Sequence, residues 1–156
     1  VPAQVGPEAS LAVLEARAPD ADVIHLACHG QFRGDNPMFS ALHLADAALT
    51  VERTQGLRLK AATVVLSACD TGLAEMGHGD EMFGLVRAFL VAGASRVVAS
   101  LWPVDDEVTE MFMLAFHAAL LGGAQPSAAL QQAQATVRRT CAHPFYWAAF
   151  VLHGGW

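Results

Sequence analysis

The stretch that decides the fold reads TVVLSACDTG and occupies residues 63–72. Its first half, residues 63–67, is apolar and rich in β-branched side chains, which favours a strand buried on both faces of a parallel sheet. Its second half carries a thiol and a carboxylate and continues into a glycine-rich segment, residues 70–80, which indicates a loop. Ligand sites of parallel sheets lie at the carboxyl ends of the strands, so this junction is a candidate site.

Outward from this stretch, predicted strands alternate with predicted helices. Further strands are predicted at residues 22–27, also buried on both faces, and at 41–44, 96–101 and 147–152. Helices are predicted at residues 10–18, 50–55, 81–91 (capped by Asp80), 106–121 and 127–139, with a loop at 30–39. The alternation predicts an α/β fold whose mostly parallel sheet carries helices on both faces, in one domain over residues 1–156.

The composition of the chain argues against several classes of binding partner. The chain is 54% hydrophobic and carries a formal net charge of −6, which argues against direct binding to nucleic acid or to an anionic membrane. No apolar run reaches the roughly eighteen residues that a membrane span requires, and no secretory signal begins the sequence. Three cysteines in apolar settings do not form a disulfide pattern, so we expect a reducing, cytoplasmic location.

Side chains with useful chemistry follow three of the predicted strands. Because the carboxyl ends of parallel strands meet at one edge, we expect an imidazole, a thiol and two carboxylates there. The imidazole is that of His29, the thiol that of Cys69, and the carboxylates those of Asp105 and Asp106; Cys28 and Trp102 also follow these strands.

His29 and Cys69 form the first candidate pair. A thiol attacks a carbonyl carbon best as thiolate, and an imidazole can protonate the leaving amine. The backbone N–H groups of Gly30 and Cys69 are candidate donors to the oxyanion. The alternative is that Cys69 is a small buried residue and His29 a surface residue at a strand end.

Nearby histidine and cysteine side chains have structural interpretations. We expect His25, inside its strand, to be packed or hydrogen-bonded, and Cys28 to point away from His29 into the core. His78 is expected to be exposed. Zinc-type spacing such as Cys-x-x-Cys is absent, so we predict neither a metal nor another cofactor.

Four segments together resemble the CHAT domains, which are similar to caspases and separases. They read IHLACHG at residues 24–30, VLSACDTG at 65–72, SLWPVDD at 100–106 and HPFYWAAF at 143–150. The resemblance implies a caspase–haemoglobinase fold, a three-layer α/β/α sandwich, and a cysteine endopeptidase with His29 and Cys69 as its catalytic pair. It also implies a protein substrate, an activator and a neighbouring tetratricopeptide repeat domain.

The beginning of the chain departs from the usual family pattern. Members of the family carry one more strand and helix before this region, so we expect a C-terminal fragment of a longer protein that lacks both. A catalytically silent interaction or scaffold domain of the same fold is the alternative function. A thiol redox protein ranks last, because no resolving cysteine has suitable spacing.

Asp105 and Asp106 are the candidate residues for determining the substrate preference. One of them is expected to cap the helix that follows, and the other to face the cleft. In separases an aspartate at the corresponding place holds a basic side chain, which implies cleavage after Arg or Lys, with Asp106 matching better than Asp105. Trp102 either packs against the fold or lines the substrate pocket. We also expect one or both glycine-rich loops, residues 30–40 and 70–80, to be disordered or misplaced without an activator, with His29 and Cys69 too far apart for a hydrogen bond.

Overall fold

A computed structural model describes residues 3–33, 36–60, 62–67 and 82–155 of the chain. Cys69, His78, Asp80 and the other residues of 68–81 lie outside this description. The chain divides into two compact units, one of Val1–Val97 with Gly154–Trp156 and one of Val98–His153. Each unit is described by itself.

Seven strands are present in the described part of the chain. They are β1 (Val23–Leu26), β2 (His29–Gln31), β3 (Ala41–His43), β4 (Ala48–Thr50), β5 (Thr63–Leu66), β6 (Arg96–Ser100) and β7 (Phe150–Gly154). One sheet has the order β1-β5-β6-β7, and β1 pairs with β5 in parallel. The second sheet has the order β2-β3-β4, and its pairs are antiparallel.

The described residues also form six α-helices. They are α1 (Leu11–Arg17), α2 (Val51–Gln55), α3 (Phe83–Val91), α4 (Asp106–Leu121), α5 (Pro126–Thr140) and α6 (Pro144–Trp147). The chain is therefore a mixed α/β protein with a mostly parallel sheet, as predicted, and the three-layer sandwich stays a prediction. In the part of the chain that the structure describes, no helix is both long and apolar enough to cross a membrane.

The first unit has its core around β5, whose four residues are all buried. This confirms the prediction of a strand covered on both faces. The same prediction is wrong for β1, where Ile24 and Leu26 are buried but Val23 and His25 are exposed. The physical reason is position, because β1 is the first strand in the order β1-β5-β6-β7 and β5 is an inner one.

The segment after β1 differs from its prediction as a loop. His29, Gly30 and Gln31 form β2 opposite His43, Leu42 and Ala41. Asn36 then caps a 3₁₀ turn, Pro37–Phe39, by accepting a hydrogen bond from the N–H of Met38. The glycine and proline content alone predicts a loop here. Pairing with β3 instead holds residues 29–31 in the extended conformation of a strand.

The smaller helices of the first unit follow their capping signals. The Ser10 side chain accepts from the N–H of Val13 at the start of α1, and Thr50 accepts from Arg53 at the start of α2. Helix α3 ends at Val91, and Gly93 follows two residues later with a φ of +105°, which favours glycine. Its observed start is Phe83, so the predicted Asp80 cap lies outside the described residues.

The second unit packs aromatic side chains of α4 against β7. The rings of Phe112 and Phe150 stack with centroids 4.4 Å apart, and both side chains are buried. The predicted strand at residues 147–152 is displaced towards the C-terminus, because α6 precedes it. Pro144 suits the first turn of a helix, and His143 Nδ1 accepts from the N–H of Phe145, so residues 144–147 turn before β7 begins.

Candidate active site

Strands β1 and β5 are paired residue by residue along their whole length, so their carboxyl ends lie side by side. Val23 pairs with Thr63 at the start, and Leu26 pairs with Leu66 at the end. Beyond the last pair, the N–H of Ser67 still donates to the carbonyl oxygen of Leu26, at 3.1 Å. The segments that follow β1 and β5 therefore leave the sheet at paired positions.

His29 lies three residues beyond the end of β1 and begins β2. Its side chain is exposed, and it lies opposite His43 of β3, which is exposed as well. Exposure leaves the imidazole accessible to a substrate and to solvent protons. Because Cys69 lies outside the described residues, its pairing with His29 stays a prediction.

Gly30 is the middle residue of β2 and is buried opposite Leu42. The sequence placed it in a loop, where its backbone would be open to a ligand. Its burial within a strand gives it a fixed backbone direction instead. The assignment of its N–H as an oxyanion donor, together with that of Cys69, stays a prediction.

Cys28 lies in the short link between β1 and β2. Its side chain is half-buried, and this burial raises the pKa of the thiol above its ordinary value. A thiol of raised pKa is protonated at neutral pH and is a poor nucleophile. The environment agrees with the predicted structural role of Cys28. Cys141, which follows α5, is also a half-buried free thiol.

His25 is hydrogen-bonded, which is one of the two structural roles predicted for it. Its Nε2 lies 2.7 Å from Oγ of Ser67, which is the residue directly after β5. The sequence predicts a structural role for His25 but does not identify Ser67 as its partner. A polar residue at the end of an apolar strand was the available signal, but the partner depends on strand register.

In the second unit, Asp105 caps α4. One carboxylate oxygen accepts from the N–H groups of Glu107 and Val108, at 3.0 and 3.4 Å. Asp106 is the first residue of the helix, and its exposed side chain makes no hydrogen bond with the described residues. The prediction that one of the two aspartates caps the helix is confirmed, and the capping residue is Asp105.

Trp102, between β6 and α4, packs against Phe145 of α6. Its Nε1–H donates to the carbonyl oxygen of Phe145 at 2.9 Å, and the two rings stack with centroids 6.2 Å apart. The side chain of Phe145 is 45% exposed. Trp102 therefore has a packing role, and a role in a substrate pocket stays a prediction.

Comparison with known proteins assigns the family. The sequence matches the CHAT domain over residues 2–155. The chain belongs to the CHAT domain family. This family is related to caspase-like cysteine peptidases. The match covers all four segments that suggested the resemblance.

Two similar proteins come from mammals. Tetratricopeptide repeat protein 28 of Homo sapiens is 39% identical over 113 residues, which are 71% of this CHAT chain and 4% of the human protein. Tetratricopeptide repeat protein 28 of Mus musculus has the same identity over the same length, which is 5% of the mouse protein. The chain thus spans about a twentieth of these relatives, whose names describe repeats.

Metal binding is a further possible property of a CHAT domain with several histidines and cysteines. Among the residues that the structure describes, no group of three or more His, Cys, Asp or Glu side chains is arranged to hold a metal ion. His25 and His29 have different surroundings: His25 is hydrogen-bonded to Ser67, and His29 is exposed at the start of β2.

Proposed function

We propose that this CHAT domain is a cysteine endopeptidase in which Cys69 is the nucleophile and His29 the general acid–base. The register of β1 and β5 supports the pairing. Leu26 and Leu66 are partners at the strand ends. His29 follows Leu26 by three residues, and Cys69 follows Leu66 by three residues. Both side chains thus belong to segments that leave the sheet from one level.

The proposed reaction proceeds through an acyl-enzyme. The Cys69 thiolate attacks the peptide carbonyl carbon, and a carbon–sulfur bond forms as the carbonyl oxygen becomes an oxyanion. Backbone N–H groups of Cys69 and Gly30 stabilise that charge. His29 protonates the leaving amine as the carbon–nitrogen bond breaks, and then accepts a proton from the water that hydrolyses the thioester.

We further propose that cleavage follows Arg or Lys. Asp106 is the preferred carboxylate for binding the basic side chain, because Asp105 already serves the first turn of α4. A guanidinium can pair with a carboxylate through two hydrogen bonds, which favours Arg in particular. The net charge of −6 also suits a cationic segment of a protein substrate.

The wider setting is proposed from the family and the mammalian relatives. A tetratricopeptide repeat domain, in the same protein or in a partner, is the proposed neighbour of this domain, and an activator the proposed regulator. A three-layer caspase-like sandwich is the proposed complete fold. The cytoplasm is the proposed location, because a reducing compartment keeps thiols available.

A silent scaffold domain of the same family is the second candidate function. The mammalian relatives, which are named for tetratricopeptide repeats, favour it. The two candidates differ in the chemistry expected at Cys69. A peptidase requires a thiol whose acylation depends on His29, whereas a scaffold does not.

Covalent labelling with a peptidyl electrophile that ends in Arg separates the two candidates. We expect labelling of Cys69, lost in Cys69→Ala and strongly slowed in His29→Ala. Cys141→Ala, which removes another half-buried free thiol, is the matched control and should label as the wild type does. Labelling that ignores His29, or peptide cleavage at a normal rate by Cys69→Ala, would refute the peptidase.

A further inference from the structure

A side-chain bridge joins the carboxyl ends of β1 and β5. The Nε2 atom of His25 and the Oγ atom of Ser67 are 2.7 Å apart, which is a short hydrogen bond. His25 pairs in register with Val65, and Ser67 is two residues further along the same chain. Because side chains alternate along a strand, His25 and Ser67 project from the same face of the sheet.

The bridge supplements a backbone hydrogen bond at the same place. The N–H of Ser67 donates to the carbonyl oxygen of Leu26 at 3.1 Å. Ser67 is therefore held to β1 twice, through its backbone and through its side chain. Both contacts lie at the last described residue before the segment that carries Cys69.

The bridge matters because of its position relative to the proposed catalytic pair. Cys69 comes two residues after Ser67, and His29 comes four residues after His25. Both bridging residues thus stand at the base of a segment that carries one member of that pair. A small displacement at such a base moves the reacting group, and misplacement by about 1 Å can cost about 100-fold in rate.

Solvent exposure of the bridge argues against a mainly stabilising role. His25 is exposed and Ser67 is only half-buried. Hydrogen bonds between groups that water can reach contribute little to folding, because water replaces either partner when the bond breaks. The bridge is therefore better suited to fixing a geometry than to holding the sheet together.

We propose that His25 and Ser67 are positioning residues for the reacting groups. Their hydrogen bond fixes the carboxyl ends of β1 and β5 relative to each other, and through them the segments that carry His29 and Cys69. The proposal rests on the proposed function in taking His29 and Cys69 as the reacting pair. It assigns Ser67 a role and gives His25 one beyond packing.

A double-mutant cycle tests the bridge. Ser67→Ala, His25→Ala and the double variant are compared with the wild type in peptide turnover, in KM and in the rate of Cys69 alkylation by iodoacetamide across pH. We expect each single change to lower kcat by about 10- to 100-fold with KM nearly unchanged. The double variant should lose no more than either single variant, because both changes remove the same bond.

Two further variants separate positioning from general damage. Ser95→Ala removes a serine hydroxyl that donates to the carbonyl oxygen of Ala62, at 3.3 Å, in the same unit. It should shift the melting temperature about as much as Ser67→Ala but leave kcat and the Cys69 alkylation profile intact. Ser67→Thr keeps the hydroxyl and should restore most of the turnover.

The readouts keep this proposal distinct from the proposed function. Additive losses in the double variant, or a loss in Ser67→Ala no larger than in Ser95→Ala, would overturn the positioning role. If labelling of Cys69 by the electrophile that ends in Arg does not depend on His29, the peptidase is refuted, and the alkylation profile of Cys69 with iodoacetamide still decides the role of the bridge. In that case, an alkylation profile of Cys69 that is unchanged in all three bridge variants overturns the positioning role. Equal shifts of the profile in all three variants support the positioning role.

Discussion

Two places in the molecule carry polar side chains at the end of a strand. We call the carboxyl ends of β1 and β5 the β1–β5 end, and the residues between β6 and α4 the β6–α4 junction. The polar side chains at these two places make different contacts. At the β6–α4 junction, Asp105 caps the helix and the Trp102 indole N–H donates to a backbone carbonyl. At the β1–β5 end, a side-chain hydrogen bond joins His25 to Ser67, and the neighbouring His29 is exposed.

This difference separates structural polar groups from those available for chemistry. A carboxylate that accepts two backbone N–H groups already stabilises its helix, so using it for a ligand would cost that cap. The exposed imidazole of His29 makes no hydrogen bond with the described residues that a ligand would have to replace. The β1–β5 end is therefore the better candidate for catalysis, and at the β6–α4 junction Asp106 is the better candidate for binding.

The largest expected effect tests the assignment of His29. His29→Ala should lower turnover by about 10²–10⁴-fold, because a general acid–base group is lost. His43→Ala is the matched control, since His43 is the exposed partner of His29 in the neighbouring strand. Equal losses in the two variants, measured by peptide hydrolysis, would mean that the strand pair and not the imidazole of His29 is needed.

The two aspartates at the β6–α4 junction should respond in opposite ways. Asp106→Ala should abolish a preference for Arg or Lys in a positional peptide library. Asp105→Ala should keep the preference but lower the free energy of unfolding by about 1 kcal/mol, because the helix loses its cap. Asp105→Asn is the control, since asparagine caps equally well. A preference that survives in Asp106→Ala and disappears in Asp105→Asn would transfer the binding role to Asp105.

Thiol reactivity should also distinguish buried from functional cysteines. Burial raises the pKa of Cys28, so its thiol stays protonated at neutral pH and should react slowly with iodoacetamide. Mass spectrometry of a time course should show Cys69 modified before Cys28. Faster modification of Cys28 at neutral pH would contradict this order, and Cys28→Ala should leave the Cys69 rate unchanged.

The smallest expected effect is on the stability of the second unit. Burial lowers the pKa of His117 and of His153 below the ordinary 6.5. The unfolded chain therefore takes up protons at a higher pH than the folded chain, so stability is full above about pH 6.5 and falls as pH drops through the folded pKa values.

Urea unfolding between about pH 7.5 and 5.5 measures this dependence. His117→Gln and His153→Gln, which cannot take up a proton, should each flatten the fall. The exposed His43, changed to Gln, is the control for the loss of a histidine. A fall that is equally steep in all three variants and in the wild type would assign the pH dependence to other groups.

The sequence was a good guide wherever local chemistry decides the structure. Apolar β-branched runs predicted β5 and β6, and the capping residues Ser10, Thr50 and one of the two aspartates predicted helix starts. Helix α4 has the predicted bounds, because a strong N-cap and a terminal glycine pair act within one turn of its ends. Four motifs with their spacing also placed the chain in the CHAT domain family.

Other features required contacts between residues distant in the sequence. The exposed face of β1 depends on its place in the strand order, and β2 forms only because β3 lies beside it. The bridge from His25 to Ser67 spans 42 positions and depends on the register of β1 and β5. The amino-acid sequence alone thus predicts most of the helices and strands, the family and the candidate reacting groups. Tertiary structure decided which polar groups are occupied and which are exposed, because strand neighbours and register are set by packing across the sheet.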